Sequence, residues 1–252
     1  NEYLELNVLA KPNKQQVWDV DIINQKTEKK LKRKTVSVIG IGCRYPQAQN
    51  KEQFWELLIH GQCTVSTYPS NRPEEHDKFQ ACYHPKRFVT KRLCTVQGSF
   101  LENIRGFDAG FFKISPQEAP AMDPQQRILL QVVYEAIEDA GLCLEDLQQC
   151  KTGVFVGAMN LDYSVRLMHE DNRVNMDQFY STGSTASILA NRISFCLNFT
   201  GPSLTVDTAC SSSLTALKIA QECLFSGQCD IAIVCAPNIL LDHNAQMTFS
   251  IG

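Results

Sequence analysis

The strongest constraint on the fold lies between residues 203 and 235, where a short β-branched run, SLTV, is followed by DTACSSSL, a helical pattern reaching Phe225, a glycine at 227 and the run DIAIVC. After Asp230 that last run has no polar position, so it offers no face to water and reads as a strand of a parallel sheet covered on both sides. The helix 210–225 then joins two strands, 203–206 and 230–235. With Leu214, Leu217, Ile219, Ala220 and Cys223 it is apolar on most sides, which predicts a buried helix.

The same alternation extends through the chain. Strands are expected at 36–41 (VSVIGI) and 153–157, and helices at 51–59, 124–140 and 185–195. The best specified helix has Asp123 as N-cap, Pro124 at its first position, Gln126 to complete a capping box and Gly141 to end it. The last helix is expected to start at Ser184 or Thr185, and its Arg192 fits either an anion contact or a structural ion pair. Strands alternating with helices imply an α/β layered fold. Residues 1–34, ending in KTEKKLKRK, read as a solvated linker or poorly ordered leader, and 63–95, rich in Pro, His and charge, as a long surface excursion. Pro237 and Asn238 should break the strand after Cys235.

Composition narrows the function classes. A chain of 252 residues can bury a sizeable core, and a net charge of −3 gives no basic excess for nucleic acid. No apolar run approaches the roughly 18 residues needed to span a bilayer, and the amino end has no signal-peptide pattern, so a cytoplasmic location and no membrane partner are expected. The 11 cysteines are scattered, with Cys196, Cys223 and Cys235 inside apolar segments, and they read mostly as reduced core residues. No CxxC pair occurs, and Cys223, Cys229 and Cys235 are too widely spaced for a zinc site, so no metal is expected. GIGCRYP lacks the G-x-G-x-x-G pattern and excludes a dinucleotide site after the first strand.

Chemistry is expected at Cys210. The small residues Thr208, Ala209, Ser211, Ser212 and Ser213 let the backbone turn sharply from strand to helix. A helix start presents unpaired N–H groups and a positive dipole end, a setting that favours a thiolate nucleophile.

Several motifs then converge. VSVIGIGCRYP at 36–46, FDAGFFKISPQEA at 107–119, MDPQQRILL at 122–130, GPSLTV at 201–206 and DTACSSSL at 207–214 occur in this order. Together they resemble the β-ketoacyl synthase (ketosynthase) domain of type I polyketide synthases and animal fatty acid synthases. The resemblance covers about residues 35–252 and implies the first half of a thiolase-like αβαβα sandwich built from two similar halves. It implies an acyltransferase with Cys210 as nucleophile. The acyl group would come from an acyl carrier protein on its phosphopantetheine arm and then condense with a decarboxylating malonyl-type extender. The Cys210 N–H would be one oxyanion donor. No directly bound cofactor is implied, and the family is homodimeric, with residues 150–200 expected in the contact. Cys rather than Gln at 210 points to a condensing domain, and the differences from an animal fatty acid synthase pattern favour polyketide synthesis.

Two departures qualify the resemblance. The HGTGT and Asn-His segments of the family's second half have no match, and His60, His76, His84, His169 and His243 fit neither. Ala236-Pro237 also stands where a Gly and an apolar residue are usual, which predicts a rearranged turn. The chain is therefore expected to be part of a longer protein and, alone, unable to condense acyl groups. The competing expectation is a non-catalytic remnant that binds a carrier protein or dimerises.

Overall fold

A computed structural model describes residues 3–10, 35–160, 162–168 and 177–251. The central sheet has five strands: β1 (Tyr3–Ala10), β2 (Ser37–Arg44), β5 (Thr152–Gly157), β6 (Ser203–Val206) and β7 (Ile231–Asn238). Their order is β2-β1-β7-β5-β6, with β5, β6 and β7 parallel and β1 antiparallel to both neighbours. Helices α3 (Pro124–Asp139) and α7 (Ser187–Leu197) lie on one face, and α8 (Ser212–Ser226) lies on the other.

The strands show why both faces had to be apolar. Val154, Val156, Ile233 and Cys235 point into one core with Leu129, Leu130, Val133, Ala190 and Ile193. Their neighbours Phe155, Ala232 and Val234 point into the other with Ala216, Ala220, Cys223 and Leu224. All six residues of β5 are buried. Such burial contributes about 25 cal/mol per Å² of apolar surface, the main term holding the three layers together.

Several expectations are corrected. Residues 3–10, read from sequence as part of a leader, form β1 in the middle of the sheet. Leu4, Leu6 and Val8 alternate with Glu5 and Asn7, a strand period too short to stand out beside the basic run. The rest of that stretch, 11–34, lies outside the described residues. Strand β7 does not break at Pro237 but runs to Asn238. Beyond Cys235 it pairs with β1 alone, so the missing proline N–H leaves no gap on the β5 side.

The 63–95 excursion is not merely surface. It carries β3 (Ser66–Thr67), paired with β4 (Gln97–Gly98), and α2 (Pro73–Cys82). Tyr68, Phe79 and Leu93 join Phe100 and Leu240 in a separate small core. Arg72 is buried there, and its guanidinium donates to the carbonyl oxygens of Leu101 and Leu240. The aromatic anchors are too far apart in sequence to register as a periodic pattern.

Helix α3 keeps its Asp123 cap, whose Oδ1 accepts the Gln125 N–H at 2.7 Å, and Gly141 leaves the helix at φ +66°. It has no capping box. Gln126 faces Arg192 instead, and the Asp123 N–H donates to Gly183 O at 2.8 Å. Helix α7 starts at Ser187, after a separate turn of helix, α6 (Tyr180–Ser184), because Thr185 is extended at φ −77°, ψ 131°.

Helix α8 is one-sided rather than enclosed. Ala216, Ala220, Cys223 and Leu224 pack inward while Leu214 is 70% exposed. Among the described elements it packs against β5, β6 and β7.

Candidate active site

The site is assembled where β5 and β6 end. Gly157 pairs with Val206, and the Ala158 N–H donates to Val206 O at 3.0 Å, so the two strand ends are locked side by side. Helix α8 begins directly against Gly157. A Cβ there would lie 2.5 Å from the Ser212 carbonyl carbon and 2.6 Å from Ser213 N, with the Ser212 carbonyl oxygen closer still. Only a residue without a side chain lets the helix start this close to the strand.

The chain makes its turn from β6 to α8 in residues 207–211. Ala209 is in the left-handed region at φ +55°, which costs a non-glycine residue about 1–2 kcal/mol. Hydrogen bonds from both flanks hold the turn. Asp207 Oδ1 accepts the Ala209 N–H at 2.9 Å, and Ser212 Oγ accepts the Thr208 N–H at 2.9 Å. Ser212 Oγ also donates to Ala209 O at 2.6 Å, and the Ser212 N–H reaches the same oxygen at 3.0 Å. Ser211 Oγ donates to Thr208 O at 2.8 Å, and Thr208 Oγ1 lies 3.0 Å from Thr215 Oγ1.

Cys210 sits at the apex of this turn, exposed and free. The sequence located the apex but not what holds it. Ser212 and Asp207 carry the turn, and Gly157, in another strand, admits it. The serine triplet and the glycine closing TGVFVG were visible as residues, but their roles depend on contacts across the fold.

The other candidates are placed elsewhere. His60 ends α1 (Lys51–Ile59), His76 lies in α2 beside Asp77, His84 accepts the Lys86 N–H, and His243 meets Phe79 edge-on at 5.9 Å. His169 lies outside the described residues. Arg192 resolves as a structural group, with Nε donating to Gln126 Oε1 at 2.7 Å and Nη1 to Glu118 Oε1 at 2.6 Å, and it joins α3 to α7. Cys223 and Cys235 are buried, and burial pushes both thiols up.

A polar network ties α3 to the strand ends. Gln125 Nε2 donates to Asn160 O at 3.2 Å, and Asn160 Nδ2 donates to Ile239 O at 2.8 Å. Burial pushes the Asp123 carboxyl beside Gln125 up to about 6, against the opposing hydrogen bonds from Gln125. Behind this network is a cavity of about 590 Å³, lined by Pro124, Arg127, Tyr163, Arg166, Tyr180 and Leu241 but not by Cys210. Among the described residues no cluster of three metal-ligating side chains occurs, and no helix is long and apolar enough to cross a membrane.

Comparison with known proteins places this geometry in a family context. Residues 33–251 match the family model for the β-ketoacyl synthase N-terminal domain. A reducing polyketide synthase of Aspergillus oryzae is 45% identical over 208 residues, covering 82% of this chain and 8% of that synthase. A non-reducing polyketide synthase of Penicillium canescens is 41% identical over 208 residues, covering 82% of this chain and 8% of that synthase. An oxazolomycin ketosynthase domain from Streptomyces albus superposes with a TM-score of 0.77 at 34% identity, over 84% of this chain and 36% of that one. The ketosynthase of module 6 of the Bacillus subtilis bacillaene synthase gives a TM-score of 0.68 at 28% identity, over 99% of this chain and 34% of that one. The chain thus spans less than a tenth of these two synthases and about a third of the solved chains it matches.

Proposed function

The chain belongs to the β-ketoacyl synthase family, with a thiolase-like α/β fold, and from that premise we propose that Cys210 is the acyl-accepting nucleophile of a polyketide ketosynthase. The observation that carries this reading is the exposed Cys210 at the apex of a left-handed strand-to-helix turn held on both sides by hydrogen bonds. Such a turn lifts one side chain clear of the backbone, as a nucleophile must be lifted to meet a bulky thioester.

In the first step the Cys210 thiolate attacks the carbonyl carbon of an acyl group held as a thioester on the phosphopantetheine arm of a carrier protein. The carbonyl oxygen takes the developing negative charge, and the Cys210 N–H, in the turn two residues before α8, donates to it. The carrier thiolate leaves and is protonated, and the acyl group stays on Cys210. In the second step a malonyl-type thioester loses carbon dioxide, and its enolate carbon attacks the Cys210 thioester. Cys210 leaves as thiolate and a 3-oxoacyl carrier thioester is released. The histidines that assist this step in the family have no counterpart in sequence among His60, His76, His84, His169 and His243, so residues 1–252 alone are proposed to accept an acyl group without extending it.

A dimer is part of the proposal. Strand β6 is an edge of the sheet and Phe195, on the helix before it and within the 150–200 segment, is 85% exposed. An exposed strand edge beside an apolar side chain supports pairing with a second copy.

The test is incubation of the chain with an acyl-phosphopantetheine thioester, followed by peptide mapping. Acyl mass on the Cys210 peptide, absent in Cys210→Ala and strongly slowed in Cys210→Ser, is expected because a hydroxyl is far less ionised at neutral pH. Acylation of another cysteine with Cys210 unmodified overturns the assignment. Malonyl-dependent extension by residues 1–252 alone overturns the proposed incompetence.

A further inference from the structure

We propose that Ser212 is a positioning residue for Cys210: its hydroxyl clamps the left-handed Ala209 and so sets the direction in which the thiol points. This rests on the reading of Cys210 as the acyl acceptor. Ser212 is 4% exposed, and its one hydroxyl uses both of its capacities on the turn, donating to Ala209 O at 2.6 Å and accepting the Thr208 N–H at 2.9 Å. A buried hydroxyl that bonded only to the preceding helical turn would merely satisfy itself. This one ties residues 208 and 209, before Cys210, to residue 212, after it, so a backbone rotation that redirects the Cys210 Cα–Cβ bond strains both contacts.

The neighbouring hydroxyls do different work. Ser211 is exposed and reaches only Thr208, while Thr215, a turn further along the helix, meets Thr208 through its side chain alone. Asp207 holds the Ala209 N–H from the strand side. Among these side chains Ser212 alone contacts the Ala209 carbonyl, the group whose orientation changes if φ relaxes from +55° to negative values. Gly157, having no side chain, leaves room for the Ser212 backbone to lie close against β5, where its Oγ reaches the turn.

The chain supplies its own controls. Cys63 and Cys143 are exposed thiols away from the turn, and Cys229 and Cys235 are buried reporters of unfolding. Under limited iodoacetamide at neutral pH, quantified by peptide mapping, Ser212→Ala is expected to lower Cys210 labelling relative to Cys63 and Cys143 by about five-fold, while Cys229 and Cys235 stay protected. The decisive variant adds Ala209→Gly to Ser212→Ala. Glycine populates φ near +55° without the steric cost that alanine carries, so the turn needs the clamp less and labelling of Cys210 should return. Packing alone would not be rescued in this way.

If Ser212→Ala unfolds the chain, seen as labelling of Cys229 and Cys235, the double variant must restore their protection. An unchanged Cys210 ratio in a folded Ser212→Ala chain, or failure of Ala209→Gly to restore labelling or protection, overturns the clamp. Neither outcome bears on whether Cys210 accepts an acyl group, which the thioester assay reads separately.

Discussion

Replacing Gly157 with alanine should displace the start of helix α8 and with it the turn that carries Cys210. The backbone of Gly157 needs no left-handed conformation, so the effect is steric. The new methyl would meet the Ser212 carbonyl group and Ser213 N, at 2.5 Å from the carbonyl carbon and 2.6 Å from the nitrogen, against 3.4–4 Å for ordinary contact. These are backbone atoms in a helix, so relief requires the helix start to retreat by about 1 Å, and forced overpacking of this kind costs about 1–3 kcal/mol. The retreat also weakens contact between α8 and the Phe155–Ala232–Val234 face, which places the expected loss near the upper end. Urea unfolding followed by far-UV circular dichroism gives the stability change, and limited alkylation of Cys210 gives the displacement. Gly141→Ala is the comparison: its Cβ meets nothing within 4 Å, but φ is +66°, so only about 1 kcal/mol of conformational cost is expected, with Cys210 labelling unchanged. A Gly157→Ala chain within about 0.5 kcal/mol of the original, with Cys210 labelling unaltered, would refute the close-approach argument.

Other perturbations test the supports of the site. Arg192→Met keeps length but abandons Gln126, Glu118 and Thr182 O, and a loss of about 2 kcal/mol in urea unfolding is expected, chiefly because the buried Gln126 side chain loses its partner while the half-buried Glu118 can turn to water. The Asp123 carboxyl holds its proton to about pH 6 when folded and loses it near 3.8 when unfolded, so its contribution is present below pH 4 and is lost as pH rises through 6. At about 1.4 kcal/mol per pH unit this gap is worth about 3 kcal/mol, and Asp123→Asn, still able to cap α3, should flatten the stability profile between those pH values. A profile of unchanged slope in that variant would rule the group out as the cause. Deleting residues 1–10 removes β1 from between β2 and β7 and leaves two unpaired strand edges inside the sheet, so oligomers or aggregate by size-exclusion chromatography are expected in place of the parent species.

The layered α/β class, the buried strands β5 and β7, the Asp123 cap and the position of Cys210 were all legible in the chain, because each depends on a local pattern: unbroken apolar runs, a cap residue before a helical period, small residues between strand and helix. Family motifs pointed to the proposed reaction, which no local pattern contains. What the sequence could not supply are the terms set by partners distant in the chain. Gln126 belongs to Arg192, 66 positions away, rather than to its own helix start. Tyr68 and Phe79 become a core only when Leu240 arrives from beyond β7. Tyr3–Ala10 becomes a strand only between β2 and β7. The same holds at the site. Sequence alone determined that a thiol stands where a strand turns into a helix. Tertiary structure decided how it is held, because the strain at Ala209 is offset by the buried Ser212 hydroxyl, and that hydroxyl is in reach only because the strand beside it ends in a residue with no side chain.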